Sequence, residues 1–451
     1  MSEDNNGSGK RERSLLEEIQ QMRVDADKGR EPELLTSRFG TRSYSRAALI
    51  ERIVDGFVAE HGGGSDALHE ADTEAKRLKL ILATTDYTLA VESIQISDSE
   101  KANVIRRVYN ELFTYGPLDD LLADQKITTI SLEGSEKVSV RYGHGELTQL
   151  PPIFDDESHL RRITQRLLLD SGAEINEENP IIEAGMTVNG RRVAVNIVGP
   201  PVTFQITVDI RVHPAEPITL NDFVSDEVMS TQAADLLRAI ATSKHGFVIV
   251  GDTEAGKTTL LSAMVALMDG DEIISTVERA GELHLPENAV RNVVQWTLED
   301  REGITFSQHV AAALETDADV IILDEVRTDE AAAVYPLLSN EDTPRQIWAF
   351  RGPADVKRLT SALGMLARRS GGDPEASERL VRAMYERLPF VITLRRRQNK
   401  LQLHGIGEWY FPAGEDYPTF VELMEMGWEG LELTGKRPSH ALNLGDSFWD
   451  K

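Results

Sequence analysis

The segment GDTEAGKTT, Gly251 to Thr259, has the spacing of a phosphate-cradling loop: a glycine, four residues, then Gly256, Lys257 and Thr258. In such a loop, backbone N–H groups and the N-terminus of the following helix face an anion. The lysine reaches the terminal phosphates and the threonine hydroxyl holds Mg²⁺. Lys257 and Thr258 are the candidates for these contacts, with Gly251, Thr253, Ala255, Gly256 and Thr259 completing the nucleotide-binding loop. Asp252 and Glu254 add two acids where an anion should dock. A carboxylate about 6 Å from a phosphate charge costs about 3 kcal/mol at an effective dielectric of 20, and under about 1 kcal/mol in water. The backbone makes the cradle, so these side chains are expected to point away. The expectation is weakened binding, not a closed site.

A second group of acids lies in DVIILDEVR. Four apolar residues, Val320 to Leu323, read as a buried strand that delivers Asp324 and Glu325 at its C-terminal end. Beside a phosphate loop, Asp324 would support the Mg²⁺ shell and Glu325 would polarise an attacking water. A third segment, IISTVERAGELHL, puts Glu278 just past another strand and Glu282 four residues on. Glu278 has two readings, a catalytic acid or a helix-start acid facing a dipole.

The elements that must position these residues follow from periodicity. GFVIVG runs as a strand into the loop and KTTLLSAMVALM leaves it as a helix. DEIISTVE, FSQHVAAALETD, DVIILDE, QIWAFRG and LPFVITLRRR then alternate strand and helix, which implies a parallel sheet with helices on both faces. Upstream, ITTISLEG and KVSVRYGHGELTQL alternate as strands, RRITQRLLLDSG reads as a helix, and RRVAVNIVGPP and TFQITVDIRV return to strand. The expected organisation is a polar tail over 1–40, a helical region over 41–112, an α+β domain over 113–212 and a linker over 213–222. A P-loop domain over 223–410 and a C-terminal extension over 411–451 complete it.

Composition narrows the function classes. The absence of cysteine excludes disulfides and thiolate metal sites. No apolar run approaches the ~20 residues of a membrane helix, and the start MSEDNNGSGKRERS lacks a signal-peptide core. A cytoplasmic location is the expectation. The formal net charge of −27 argues against nucleic acid as the main partner and against broad docking on anionic lipid. LRRRQNK, Leu394 to Lys400, is the best local exception, read either as a basic patch or as solvated strand-end charge.

From YGPLDDLLADQKITTISLEGSEKVSVRYGHGEL onward the chain resembles the secretion ATPases, specifically the branch of Tad/Flp-type pilus assembly and type IV secretion. INEENPIIEAGMTVNGRRV, VDIRVHPAEPITL, TVERAGEL, ILDEVRT and LTGKRPSHAL fall in the family's order across roughly residues 100 to 445. The resemblance implies a RecA-like P-loop core preceded by an α+β N-terminal domain, with ATP and Mg²⁺ between them. It implies that Arg192 and Arg211 face the nucleotide across the cleft, that Glu278 is the first acid of an acidic box, and that Glu325 and Arg327 form the strand-end pair. The two cleft arginines also read as exposed strand charge. Six positions depart from the pattern. Arg279 replaces the second acid of the box, Arg351 stands where a histidine is usual, Gly185 replaces an arginine, Asp252 and Glu254 stand in the glycine-rich loop, and Asp324 replaces a glycine. Arg327 and Arg351 are candidate sensors of the γ-phosphate.

The expectation is an ATP-hydrolysing motor, a homo-hexamer by resemblance, that drives an inner-membrane platform protein in pilus assembly or secretion. It would be held at the membrane by that partner. The alternative is a pseudo-ATPase that binds nucleotide as a structural or regulatory subunit, motivated by Gly185, Arg279 and Arg351. A nucleic-acid motor on the same core conflicts with the acidic charge.

Overall fold

The computed structural model describes residues 46–450, apart from 62–64, 144, 299–300, 371–373, 398–399, 416 and 428–429. The tail over 1–40 and its short helical stretch lie outside the described residues. Helices Arg46–His61, Glu74–Val91 and Asp98–Phe113 pack through Ile53, Phe57, Ile81, Val104 and Val108. Ser97 and Glu100 form a reciprocal capping box that starts the third of these helices.

The alternating segments that follow form a six-stranded antiparallel sheet. Its strands are β1 (Ile127–Glu133), β2 (Lys137–Tyr142), β3 (Leu147–Leu150), β4 (Ile181–Val188), β5 (Arg191–Val198) and β6 (Thr207–Val212), in the order β3-β2-β1-β6-β5-β4. One face carries Ile130, Leu132, Val140, Val195 and Ile210 into a core shared with helix Glu157–Asp170. Because side chains alternate along a strand, the residues between these point the other way. Register then aligns one row across five strands: Arg141, Thr129, Arg211, Ala194 and Gly185. That row faces the second sheet.

The second sheet has nine strands: β7 (Phe247–Gly251), β8 (Ile274–Glu278), β9 (Ala289–Val293), β10 (Val320–Val326), β11 (Arg345–Arg351), β12 (Phe390–Arg397), β13 (Lys400–Tyr410), β14 (Thr419–Met426) and β15 (Leu431–Leu433). The order is β15-β14-β13-β12-β7-β11-β10-β8-β9. β12 through β9 are parallel, as strand–helix alternation predicts, and β13 to β15 continue the sheet antiparallel. Successive residues serve opposite cores. Phe247 and Ile249 pack with helices Thr231–Ala241 and Lys257–Val265, whereas Val248 and Val250 pack with helices Phe306–Leu314, Ala331–Ser339 and Pro374–Arg387. Burial on both faces is why these strands read as continuous apolar runs.

The last forty residues read in sequence as a compact addition or tail. In the structure they supply β14 and β15 and then fold back onto the core through Trp449. Fully buried Glu408 fixes this return by accepting from the N–H groups of Ser439 and His440, at 2.6 and 2.7 Å. The segment read as a linker, 213–222, ends in helix: Thr219 and Asp222 cap Leu220–Ser225 reciprocally.

Candidate functional site

The phosphate-loop segment lies where β7 meets helix Lys257–Val265, at the C-terminal edge of the parallel strands, the ordinary ligand edge of an open α/β sheet. Two glycines there have identifiable reasons. A side chain at Gly251 would come within 2.9 Å of the Leu394 carbonyl oxygen, and Gly256 has φ +74° with the Leu401 side chain 2.8 Å from where a Cβ would be. Lys257 is buried along its length and its Nζ donates to the Asp252 carbonyl at 2.9 Å. The same Nζ is 2.7 Å from Glu325 Oε2. Thr258 Oγ1 donates to Asp324 Oδ1 at 3.2 Å. The loop and the end of β10 therefore bring Lys257, Thr258, Asp324 and Glu325 into one cluster at a helix N-terminus.

Their electrostatic settings differ. Asp324 is buried, and burial together with the neighbouring Glu282, Glu278 and Glu325 pushes its carboxyl well above the usual carboxylate range. Thr258 and Asp324 offer hard oxygen donors of the kind Mg²⁺ prefers. The crowd of carboxylates around Asp324 is a charge excess that a divalent cation offsets. The residues present fit the metal. Glu325 remains about one-fifth exposed, held between Lys257 and Arg327 Nε, the latter 3.9 Å away.

Glu278 sits behind this cluster, 0% exposed. It accepts from Thr276 Oγ1 and the Leu283 N–H, both at 2.9 Å, and lies 3.4 Å from Arg291 Nε. Burial raises its pKa despite these partners. Among the described residues no helix starts directly after β8, so Glu278 caps no helix dipole; these contacts make it an organiser of the turn that follows β8. Glu282, four residues on, is the acid that reaches the cleft. It meets His213 Nε2 at 2.7 Å and Arg211 Nη1 at 3.7 Å. Burial alone would raise Glu282, but Arg211 and His213 outweigh it and hold it at about 2.

Ala255, Gly256, Lys257, Thr258, Thr259, Glu325 and Arg211 line one cleft between the two sheets, of about 140 Å³. The other expected site residues are placed elsewhere. Arg192 donates to the Gly281 carbonyl at 3.2 Å, Thr253 is exposed, and Gly251 contributes backbone at the end of β7. Arg327 pairs with Glu183 of β4 as well as lying near Glu325. Arg351 is exposed at the end of β11, level in register with Gly251.

The departures from the family pattern also have positions. Arg279 donates to the Glu325 carbonyl at 3.1 Å, pairs with Glu330 and lies over the Phe306 ring, so it braces the end of β10. At Gly185 a Cβ would fall 1.5 Å from the Ala280 carbonyl oxygen, so β4 touches the turn after β8 backbone to backbone there. Glu254 turns to Arg141 of β2 at 2.6 Å, whereas Asp252 is exposed and meets Lys257 only through its carbonyl. Arg396, from the basic run at Leu394 to Lys400, donates to the Glu254 carbonyl at 3.3 Å and lines the cleft. Sequence reasoning did not select Arg141, Arg396, His213 or Glu282. Glu282 carried a signal through its spacing from Glu278, and Arg396 through the basic run at Leu394 to Lys400.

The sequence model of a family described as "Type II/IV secretion system protein" matches residues 122–336. A protein of Mycobacterium tuberculosis provisionally named a conjugal transfer protein is 32% identical over 284 residues, 60% of this chain and 79% of its own length. The type IV secretion system protein VirB11 of Bartonella henselae is 23% identical over 327 residues, 64% of this chain and 90% of its own. Among solved structures, the Legionella pneumophila ATPase DotB is 17% identical with a TM-score of 0.44, covering 67% of this chain and 81% of that one.

Proposed function

The chain belongs to the type II/IV secretion ATPase superfamily, and we propose that it is an ATP-hydrolysing motor of a secretion or pilus-assembly machine. The observation that carries this reading is the cluster at the end of β7 and β10. Lys257 and Glu325 are 2.7 Å apart, and Thr258 and Asp324 3.2 Å apart.

Lys257 is a buried cation whose nearest anionic partner is Glu325. A phosphate chain in the loop takes over that partnership and frees the Glu325 carboxylate. Glu325 is then the general base that orients and deprotonates the attacking water. Thr258 and Asp324 would hold Mg²⁺, which when bound supplies charge neutralisation of the phosphates. Arg211 is pushed above its ordinary pKa, chiefly by Glu282, and stays cationic while facing the cleft from the six-stranded sheet. It carries the state of the phosphates to that sheet. The cleft, at about 140 Å³, falls below the roughly 300 Å³ of ordinary small-molecule pockets. A parting of the two sheets on nucleotide uptake is the proposed power stroke. A homo-hexameric ring acting on an inner-membrane platform from the cytoplasmic side completes the reading. Among the described residues, no helix is long and apolar enough to cross a membrane.

Nucleotide binding without turnover is the second reading, favoured by the sealed position of Glu278 and by Arg279 at its side. Phosphate release by purified full-length protein with ATP and Mg²⁺ separates the two. Release that stops with EDTA and in Lys257→Ala supports the motor. Nucleotide binding with no release supports the second reading.

A further inference from the structure

Glu254 is an acid inside the phosphate loop, at φ +60°, a left-handed conformation that ordinarily selects glycine. Two contacts hold it there. Its Oε2 meets Arg141 Nη1 at 2.6 Å, and its carbonyl accepts from Arg396 Nε at 3.3 Å. Arg141 comes from β2 in the other sheet, stands in the transverse row beside Thr129 and Arg211, and is nine-tenths buried. Its Nε is buried and has no hydrogen-bond partner among the described residues. Arg141 lines the same cleft as Lys257, Thr258 and Glu325.

A buried guanidinium with an unused donor, held beside an anion-binding loop, is an unfinished site. We propose that Arg141 is a phosphate-binding residue for the nucleotide and that Glu254 is its positioning residue. Glu254 fixes one end of the guanidinium, as a carboxylate does in a charge-assisted pair, and leaves another N–H for a phosphate oxygen. The acid in the loop is then the anchor of an added cation. Its charge is cancelled by the arginine it orients, so the loop keeps its affinity for anions. Arg396 fixes the Glu254 backbone in the conformation this requires. The inference rests on the nucleotide reading of this cleft, and adds to it a ligand from β2.

The test is binding of ADP, AMP and a non-hydrolysable ATP analogue, each with Mg²⁺, to full-length wild type, Arg141→Ala, Arg141→Lys, Glu254→Gly and Arg141→Ala/Glu254→Gly. Arg141→Ala should weaken the ATP analogue by about 30-fold, because it removes a cation and leaves Glu254 unpaired. The loss should be smaller for AMP, and Arg141→Lys should recover part of it. Glu254→Gly should weaken binding by about 5-fold, since the arginine survives without its anchor. The double variant should be no weaker than Arg141→Ala, as expected for coupled residues. Tighter binding in Glu254→Gly with unchanged binding in Arg141→Ala would overturn the inference and leave the nucleotide site standing. An equal loss for all three nucleotides would also overturn it, as the mark of a purely structural role. Wild type that binds none of them would overturn the nucleotide reading and this inference together. Binding without hydrolysis would remove only the motor.

Discussion

The two walls of the cleft are built on different principles. The nine-stranded wall takes its chemistry from chain neighbours: Gly256 to Thr259 follow β7, and Asp324 and Glu325 end β10. The six-stranded wall takes its chemistry from register. Arg141, Thr129 and Arg211 belong to three strands and come together only because β2, β1 and β6 pair in one alignment. In the proposed mechanism the first wall holds the reacting groups, and the second supplies cations and steric contact. Such a division would keep the reacting cluster assembled while the opposite wall moves.

The largest expected effect breaks the first wall. Lys257→Ala removes a buried cation from its pair with Glu325 and should lower ATP affinity roughly 1000-fold, about 4 kcal/mol, by calorimetry. Unchanged affinity would mean that Lys257 is a structural lysine.

Next comes the steric contact of the second wall. Gly185→Ala drives a methyl into the Ala280 carbonyl, and should cost about 3 kcal/mol or separate the sheets. Thermal unfolding and small-angle scattering read these two outcomes. A variant with wild-type stability and wild-type dimensions would show that β4 does not touch the turn after β8 in solution.

Arg211→Ala is milder. It leaves Glu282 with His213 and should cost about 1.5 kcal/mol of stability. The same variant should show a smaller dependence of stability on acid.

The last prediction concerns that acid dependence itself. Glu282 is held at about 2, against an ordinary 4.5. A carboxylate depressed in the folded state stabilises it above its unfolded pKa and loses that stability as protons bind. The contribution should be complete above about pH 4.5 and fade as the pH falls toward 2. Denaturant titrations of wild type and Glu282→Gln should diverge above this window and converge within it.

The same contrast explains what was legible in the amino-acid order. β7 and β10 are buried on both faces, so their apolar runs and the strand–turn–helix at Lys257 could be read directly. Lys257, Thr258, Asp324 and Glu325 followed from them. Arg141 could not be read this way, because nothing near KVSVRY announces that it will meet Glu254, 113 positions along the chain. Arg192 was placed at the nucleotide by the family resemblance, yet its guanidinium donates to the Gly281 carbonyl. Neighbouring Arg191 is buried against the carbonyls of His213, Asp124 and Ile127. Two adjacent arginines thus serve opposite faces, and composition cannot assign them. Asp252 and Glu254 looked equivalent as intruding acids, but among the described residues only Glu254 has a cation across the cleft.

The central claim is that Glu325, drawn to Lys257, becomes the base of an ATPase. Its most direct test is steady-state ATP hydrolysis with Mg²⁺ beside direct nucleotide binding, for wild type and Glu325→Gln. The account predicts turnover in wild type, turnover lost by roughly 100-fold or more in Glu325→Gln, and ATP bound by both. Wild type that binds ATP and never hydrolyses it, or Glu325→Gln with undiminished turnover, would contradict the account.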